Sequence, residues 1–174
     1  MSGVCVGTVK SNKLDAEGRI EITLEGVAGN AGPYPARIAT LMAGNGYGTL
    51  FLPEENDQVL VAFVNGSINE PIVIGGVWSK VDKPPDANAD GKNTTKLIKT
   101  RAGNEIRITD KNSAEKIEIT GKEGKTRVVL DIANKTIEIM TEKITLNGNV
   151  DVTGKLVVGS SSKTTIDGNK ITGS

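Results

Sequence analysis

Glu54, Glu55 and Asp57 crowd one short stretch, and paired carboxylates are what glycoside hydrolysis uses as acid and base. That chemistry needs a cleft in which two environments push the pKa values apart; between Pro53 and Asn56 these residues read instead as a solvated turn. A second stretch, Asp86-Ala87-Asn88-Ala89-Asp90-Gly91, copies positions 1, 3, 5 and 6 of an EF-hand calcium loop. Its twelfth position is Leu97, which has no carboxylate, and no helical pattern flanks it, so Asx and glycine turn chemistry accounts for the same letters. The glycine-rich run AGNGYG at 43–48 lacks the Lys-Ser/Thr of a phosphate loop and opens no helix, and reads as a turn. Lys99, Arg101, Arg107, Lys111 and Lys116 form a basic series, but acidic residues interleave with it and no aromatic stands near to stack a base. A charged outer face is the better reading. Arg37 and Trp78 fit packing and inter-subunit contact equally.

The chain has no histidine. That removes the Ser-His-Asp and Cys-His nucleophile systems, the HExxH zinc site and the usual neutral-pH proton shuttle. Cys5 is the only cysteine, so no internal disulfide or cysteine metal cluster can form; it reads as an apolar filler in a first strand. No catalytic, cofactor-binding or metal-ligating residue is expected, and the protein is not read as an enzyme. With 21 basic and 21 acidic residues the formal charge is zero, which leaves no overall field to attract a nucleic acid. The N-terminus shows no basic region followed by an apolar stretch, and no run reaches the roughly 18 residues of a membrane span. The expected origin is the cytoplasm, without a signal peptide.

These side chains must be positioned by two different kinds of structure. All five aromatics, Tyr34, Tyr47, Phe51, Phe63 and Trp78, lie before residue 79. Residues 1–80 carry a net charge of −3 and residues 81–174 one of +3. Between the two cores runs VDKPPDANADGKNTT, poor in apolar residues, so we place a first domain at 1–80, a linker at 81–96 and a second domain at 97–174. In the first, Val4, Val6 and Val9 open an alternating pattern, and Ile20, Ile22 and Leu24, then Val59, Val61 and Phe63, follow at period 2, the last before an Asn65-Gly66 turn signal. The run IVIGGVW after Pro71 is apolar at nearly every position and suits a strand buried on both faces or closing a barrel seam. About five or six short strands and no helical window predict a small barrel of the oligonucleotide/oligosaccharide-binding (OB) type.

The second domain alternates more strictly. Ile106/Ile108, Ile117/Ile119, Val128/Leu130/Ile132, Ile137/Ile139, Ile144/Leu146, Val150/Val152 and Leu156/Val158 are pairs or triplets at i, i+2, opposed by Lys, Glu, Arg and Thr. One such ribbon offers too little apolar area to fold alone. A single-chain solenoid would have only a few poorly capped coils. Three chains wound into one prism bring these fifteen side chains to a thin shared axis and close the exposed edges. The expected fold is therefore all-β: an N-terminal OB-type β-barrel followed by a C-terminal trimeric, intertwined β-helix, or β-prism.

GRIEITLEG at 18–26 and residues 36–78 carry a more specific pattern. Ala36-Arg37-Ile38, Ala43-Gly44, Tyr47-Gly48, Phe51, Pro53-Glu54, Val59 to Phe63, Gly66 and Pro71 to Gly75 follow in order the pattern of the phage baseplate assembly protein V family. The chain resembles its OB domain, which is shared with tail spikes and the valine-glycine repeat spike of type VI secretion. Before Asp57 the family usually has a hydrophobic residue and Gly; here Glu55 and Asn56 stand there, and Asn tolerates the left-handed backbone that Gly supplies. Related phage spikes often carry an apical histidine cluster that binds iron. GSSSKTTIDGNKITGS has none, so that site does not carry over and a separate capping protein would sharpen the tip. Some relatives insert a lysozyme domain where this chain has only a connector.

The resemblance implies a homotrimeric structural spike, seated on baseplate hub and tube proteins and piercing a target cell envelope, in a virion tail or a contractile injection machine. Two other readings stand beside it: an OB module binding single-stranded nucleic acid or glycan, as the fold alone permits, and a β-helical polysaccharide lyase or hydrolase.

Overall fold

The computed structural model describes residues 3–26 and 32–157, and its described part is built of β-strands and turns. It divides into two compact units between Ala89 and Asp90.

In the first unit, β1 (Val4–Ser11), β2 (Ile20–Leu24), β3 (Tyr34–Ile38), β6 (Gln58–Phe63) and β7 (Pro71–Gly76) close into a barrel in the order β1-β2-β3-β7-β6. Period-2 alternation is what fills it: Val9, Ile20, Ile22, Leu24, Ala36, Val59, Val61 and Val73 point inward and are buried. Register locks them together, with Val9 opposite Ile22, Ile20 opposite Ala36 and Val61 opposite Val73. Gly7 of β1 leaves no room for a side chain. A Cβ there would lie 2.8 Å from the Thr23 carbonyl oxygen and 3.1 Å from Cγ2 of Val61.

The apolar run after Glu70 does close the seam: β7 pairs parallel with β3 and antiparallel with β6. It is not buried on both faces, because Ile74 is exposed. Asn65 and Gly66 both take positive φ, 49° and 76°, in the turn that joins β6 to β7. Asn56 sits at φ 74°, the left-handed conformation that a glycine would otherwise provide. Cys5 packs against the core, and burial, with Glu25 adding to it, pushes its thiol pKa up. A small two-stranded sheet, β4 (Ala43–Gly44) and β5 (Tyr47–Gly48), stands apart from the barrel.

The second unit is an antiparallel meander of β8 (Thr95–Lys99), β9 (Glu105–Thr109), β10 (Lys116–Thr120), β11 (Arg127–Asp131) and β12 (Thr136–Met140), in spatial order β12-β11-β10-β9-β8. Its turns use local side-chain capping. Asn104 accepts the Lys122 amide at 3.0 Å through Oδ1 and so ties two turns together. Asp131 accepts the Asn134 amide at 2.9 Å and its side-chain Nδ2 at 3.0 Å.

The expected strands at Ile144/Leu146 and Val150/Val152 do not form: residues 141–157 carry no strand. A strand is defined by its hydrogen-bonding partner, and in the single chain residues 141–157 pair with neither open edge of the meander, β12 or β8. Leu156 also lies outside any strand, and Val158 and the tail after it lie outside the described residues.

Candidate functional site

Antiparallel register decides which side chains share a face, because directly opposed residues project to the same side. In the meander one row runs Ile98, Ile106, Ile119, Val128, Ile139, and the next runs Lys96, Ile108, Ile117, Leu130, Ile137. Every position in both rows except Lys96 is aliphatic. The face is not covered. Ile98, Ile106, Ile108, Ile119, Ile137 and Ile139 are all exposed, Ile137 at 71% of its surface. A shallow concavity of about 440 Å³ opens there, lined in part by Ile98, Ile106, Ile119 and Val128.

The opposite face is built from charge. Its central row reads Leu97, Arg107, Glu118, Val129, Glu138. Lys99 and Arg107 both pair with Glu105, Lys116 pairs with Asp131 at 3.3 Å, and Arg127 reaches Glu138 at 3.1 Å. Of the basic series, Lys99, Arg107 and Lys116 are therefore engaged by carboxylates within the sheet, Glu105 serving two of them, rather than presented as an unbroken stripe. Among the described residues of this unit Val129 is the buried hydrophobic one, and it lies on the charged side, in line with Glu118 and Glu138. Long charged side chains readily lay apolar stems over such a residue.

The Arg107 hydrogen bond, with Lys99 adding to it, holds the Glu105 carboxyl below its ordinary range. The Asn134 hydrogen bonds, then Lys116, do the same for Asp131. A depressed carboxylate pKa contributes stability that is present above the unfolded value and lost as pH falls through the folded one. Unfolding of this unit followed from pH 7 to pH 2 is therefore expected to stay level down to about pH 4 and to weaken below it. In Asp131→Asn the acid-dependent fall is expected to be smaller.

The remaining candidates have structural roles. Asp57 accepts the Glu54 amide at 2.8 Å through Oδ2, while its own amide donates to the Glu54 carbonyl at 3.1 Å. It closes the expected turn. Asp86 and Asp90 accept the amides of Asn88 and Lys92 as Asx turns, and no group of residues suited to hold a metal occurs among the described residues. AGNGYG forms the β4–β5 hairpin, turning at Asn45-Gly46. Arg37 and Trp78 are both exposed on the barrel.

Of the side chains expected at a shared axis, Ile106, Ile108, Ile117, Ile119, Val128, Leu130, Ile137 and Ile139 are brought onto one face. Ile132 lies just past β11, exposed, and Ile144, Leu146, Val150, Val152 and Leu156 are exposed outside the sheet. Ile98 belongs to the aliphatic row and was missed, because the adjacent Leu97-Ile98 gives no period-2 signal to say which of them faces which side.

Residues 5–78, the barrel with its β4–β5 hairpin, match the family described as the type VI secretion system/phage-baseplate injector OB domain. The barrel is similar to this domain over its whole length. The same stretch has relatives in much longer proteins. The chain is 33% identical over 85 residues to the type VI secretion system spike protein VgrG3 of Vibrio cholerae, covering 47% of this chain and 8% of that protein. It is 34% identical over 87 residues to the spike protein VgrG4b of Pseudomonas aeruginosa, covering 47% and 11%. To the spike protein VgrG1a of the same organism it is 28% identical over 112 residues, covering 58% and 17%. The chain thus spans a small fraction of the curated relatives it matches. In the described residues no helix is long and apolar enough to cross a membrane.

Proposed function

We propose that the protein is a non-enzymatic, homotrimeric spike of a contractile tail or injection machine. The injector OB domain seats it on the hub and tube of a baseplate. The residues from about 97 onward wind with two sister chains into a prism that points outward, with a separate protein capping the tip. Contraction would drive this narrow prism into a target envelope, and its work depends on a high barrier to unfolding rather than on chemistry.

The observation that carries this reading is the uncovered aliphatic face. Each Ile or Leu withdrawn from water contributes up to roughly 1.5–3 kcal/mol, so a sheet with two such rows open to solvent has a strong drive to associate. Charge on the opposite face keeps that side in water and limits association to one side of the sheet. Three sheets facing a common axis satisfy both conditions. The segment 143–157, with Ile144, Leu146, Val150 and Val152 still at i, i+2, takes its strand partners from the sister chains.

Native mass measurement in dilute buffer tests it, with three chains as the expected count. A compact monomer would overturn the prism.

A further inference from the structure

Tyr47, Phe51 and Trp78 stand on the barrel unit with 66%, 68% and 65% of their surface in water. Aromatic side chains are scarce in this protein, at 3% of residues, and exposed clusters of them mark interfaces. Phe51 and Trp78, with Ile38, Val59, Val73 and Val77, line a cleft of about 410 Å³. From its mouth projects an arm, residues 40–50. Both of its feet, Ile38-Ala39 and Phe51-Leu52, belong to the lining.

The arm is held by its own bonds. Thr40 Oγ1 donates to the Thr49 carbonyl at 2.8 Å, and the Thr49 amide donates to the Met42 carbonyl at 3.0 Å. The Tyr47 ring lies so close over Gly44 that any Cβ there would overlap it. Residues 38–53 contain no charge at all, in a chain that is 24% charged. Leu41 is 94% exposed. The arm therefore does not fill its own chain's cleft, and both features are left open to water.

We propose that the arm of each copy docks in the cleft of the next, with Leu41 and Tyr47 covering Trp78 of the neighbour. The proposal rests on the trimeric reading above. A protruding group and a complementary recess on one chain make a head-to-tail contact, which closes into a ring when the rotation suits the copy number. The cleft is lined mainly by apolar side chains, together with Asp57, Gln58 and Asp82; an uncharged arm brings no like charge to those carboxylates, and its aromatic and aliphatic groups fit the aromatic-rich core of a protein interface. With each chain taking part in two contacts, the exposed aromatics together with Leu41, Met42 and Leu50 amount to on the order of 700 Å² per chain, or about 350 Å² per partner at each contact; that is less than the roughly 800 Å² per partner of a free-standing interface, so the contact depends on the chains being held together elsewhere. Chains already joined through their C-terminal portions hold arm and cleft at high effective concentration.

Trp78 is the only tryptophan, so its emission reports the cleft directly. In the full-length trimer the emission is expected to be blue-shifted and shielded from acrylamide several-fold relative to free indole. Leu41→Asp and Tyr47→Asp should each restore exposed-indole behaviour with the mass still at three, and Tyr47→Phe should not. In mixed trimers, a Tyr47→Asp chain should regain shielding of its Trp78 when its partners carry Trp78→Phe and intact arms. An exposed Trp78 in the wild-type trimer, shielding insensitive to both arm substitutions, or shielding that appears only when a hub protein is added would overturn the docking while leaving the trimer intact. A native mass of one chain would instead remove the trimeric reading and this contact with it.

Discussion

Ile117→Lys is expected to reduce the native mass from three chains to one while the barrel stays folded. Ile117 is on β10, the middle strand of the meander, between Ile108 and Leu130 in its row. In an isolated sheet Ile117 is half-buried by its row neighbours on a face otherwise open to water, so a lysine, whose stem can cover the same neighbours with its ammonium in water, would cost the monomer only part of an isoleucine's burial. At a shared axis the same substitution brings three ammonium groups together away from solvent. Each loses the roughly 1.5–3 kcal/mol of a buried isoleucine and adds the desolvation of an unpaired charge, several kcal/mol more. The control is one residue away. Glu118 projects to the opposite, charged face, and Glu118→Gln is expected to shift stability by no more than about 0.5 kcal/mol and to leave the mass at three. Mass and unfolding measured on the two variants decide the matter. A trimeric Ile117→Lys protein of wild-type stability would mean that this row does not face the axis.

The barrel was legible because one-sided burial leaves a period-2 record. Ile20, Ile22 and Leu24 alternate with Glu21 and Thr23, and the structure buries the first set. Asn65-Gly66 announced its turn through residue types that tolerate positive φ, and both residues adopt it. The hairpin arm was not legible as an arm. AGNGYG identifies a turn, but the side chains that make the feature unusual, Leu41, Tyr47 and Leu50, look like ordinary core residues until their exposure is known.

In the second unit the alternation predicted strands correctly where a neighbouring strand of the same chain is available, from Glu105 to Met140. It did not show whether the partner edge of a given i, i+2 pair is intramolecular. Ile137/Ile139 finds Leu130 and Val128 across the ladder, whereas Ile144/Leu146, with the same spacing, has no strand partner. Side-chain patterning records which face is dry. Hydrogen-bond partnership is a property of the backbone and leaves no trace in the residue types.

Ile22→Ala is expected to remove about 2–5 kcal/mol from the barrel and to leave the native mass at three. Ile22 is fully buried, opposite Val9 across β1, and its truncation leaves a cavity among Val9, Val61 and their neighbours that the strands cannot collapse to fill. Gly7 limits any relaxation, since β1 and β2 already meet there without room for a methyl group. The aliphatic rows of the meander share no residue with this core, so a loss confined to the barrel should appear as an earlier denaturant transition of Trp78 emission. The later transition, followed by far-ultraviolet circular dichroism, should not move. If instead both transitions shift together, the two cores unfold as one cooperative unit, and the division of labour between a seating domain and an autonomous prism fails. Separate transitions are what a spike requires of its parts, because a prism stabilised by its own interlocked chains can carry load without relying on the stability of the domain that anchors it.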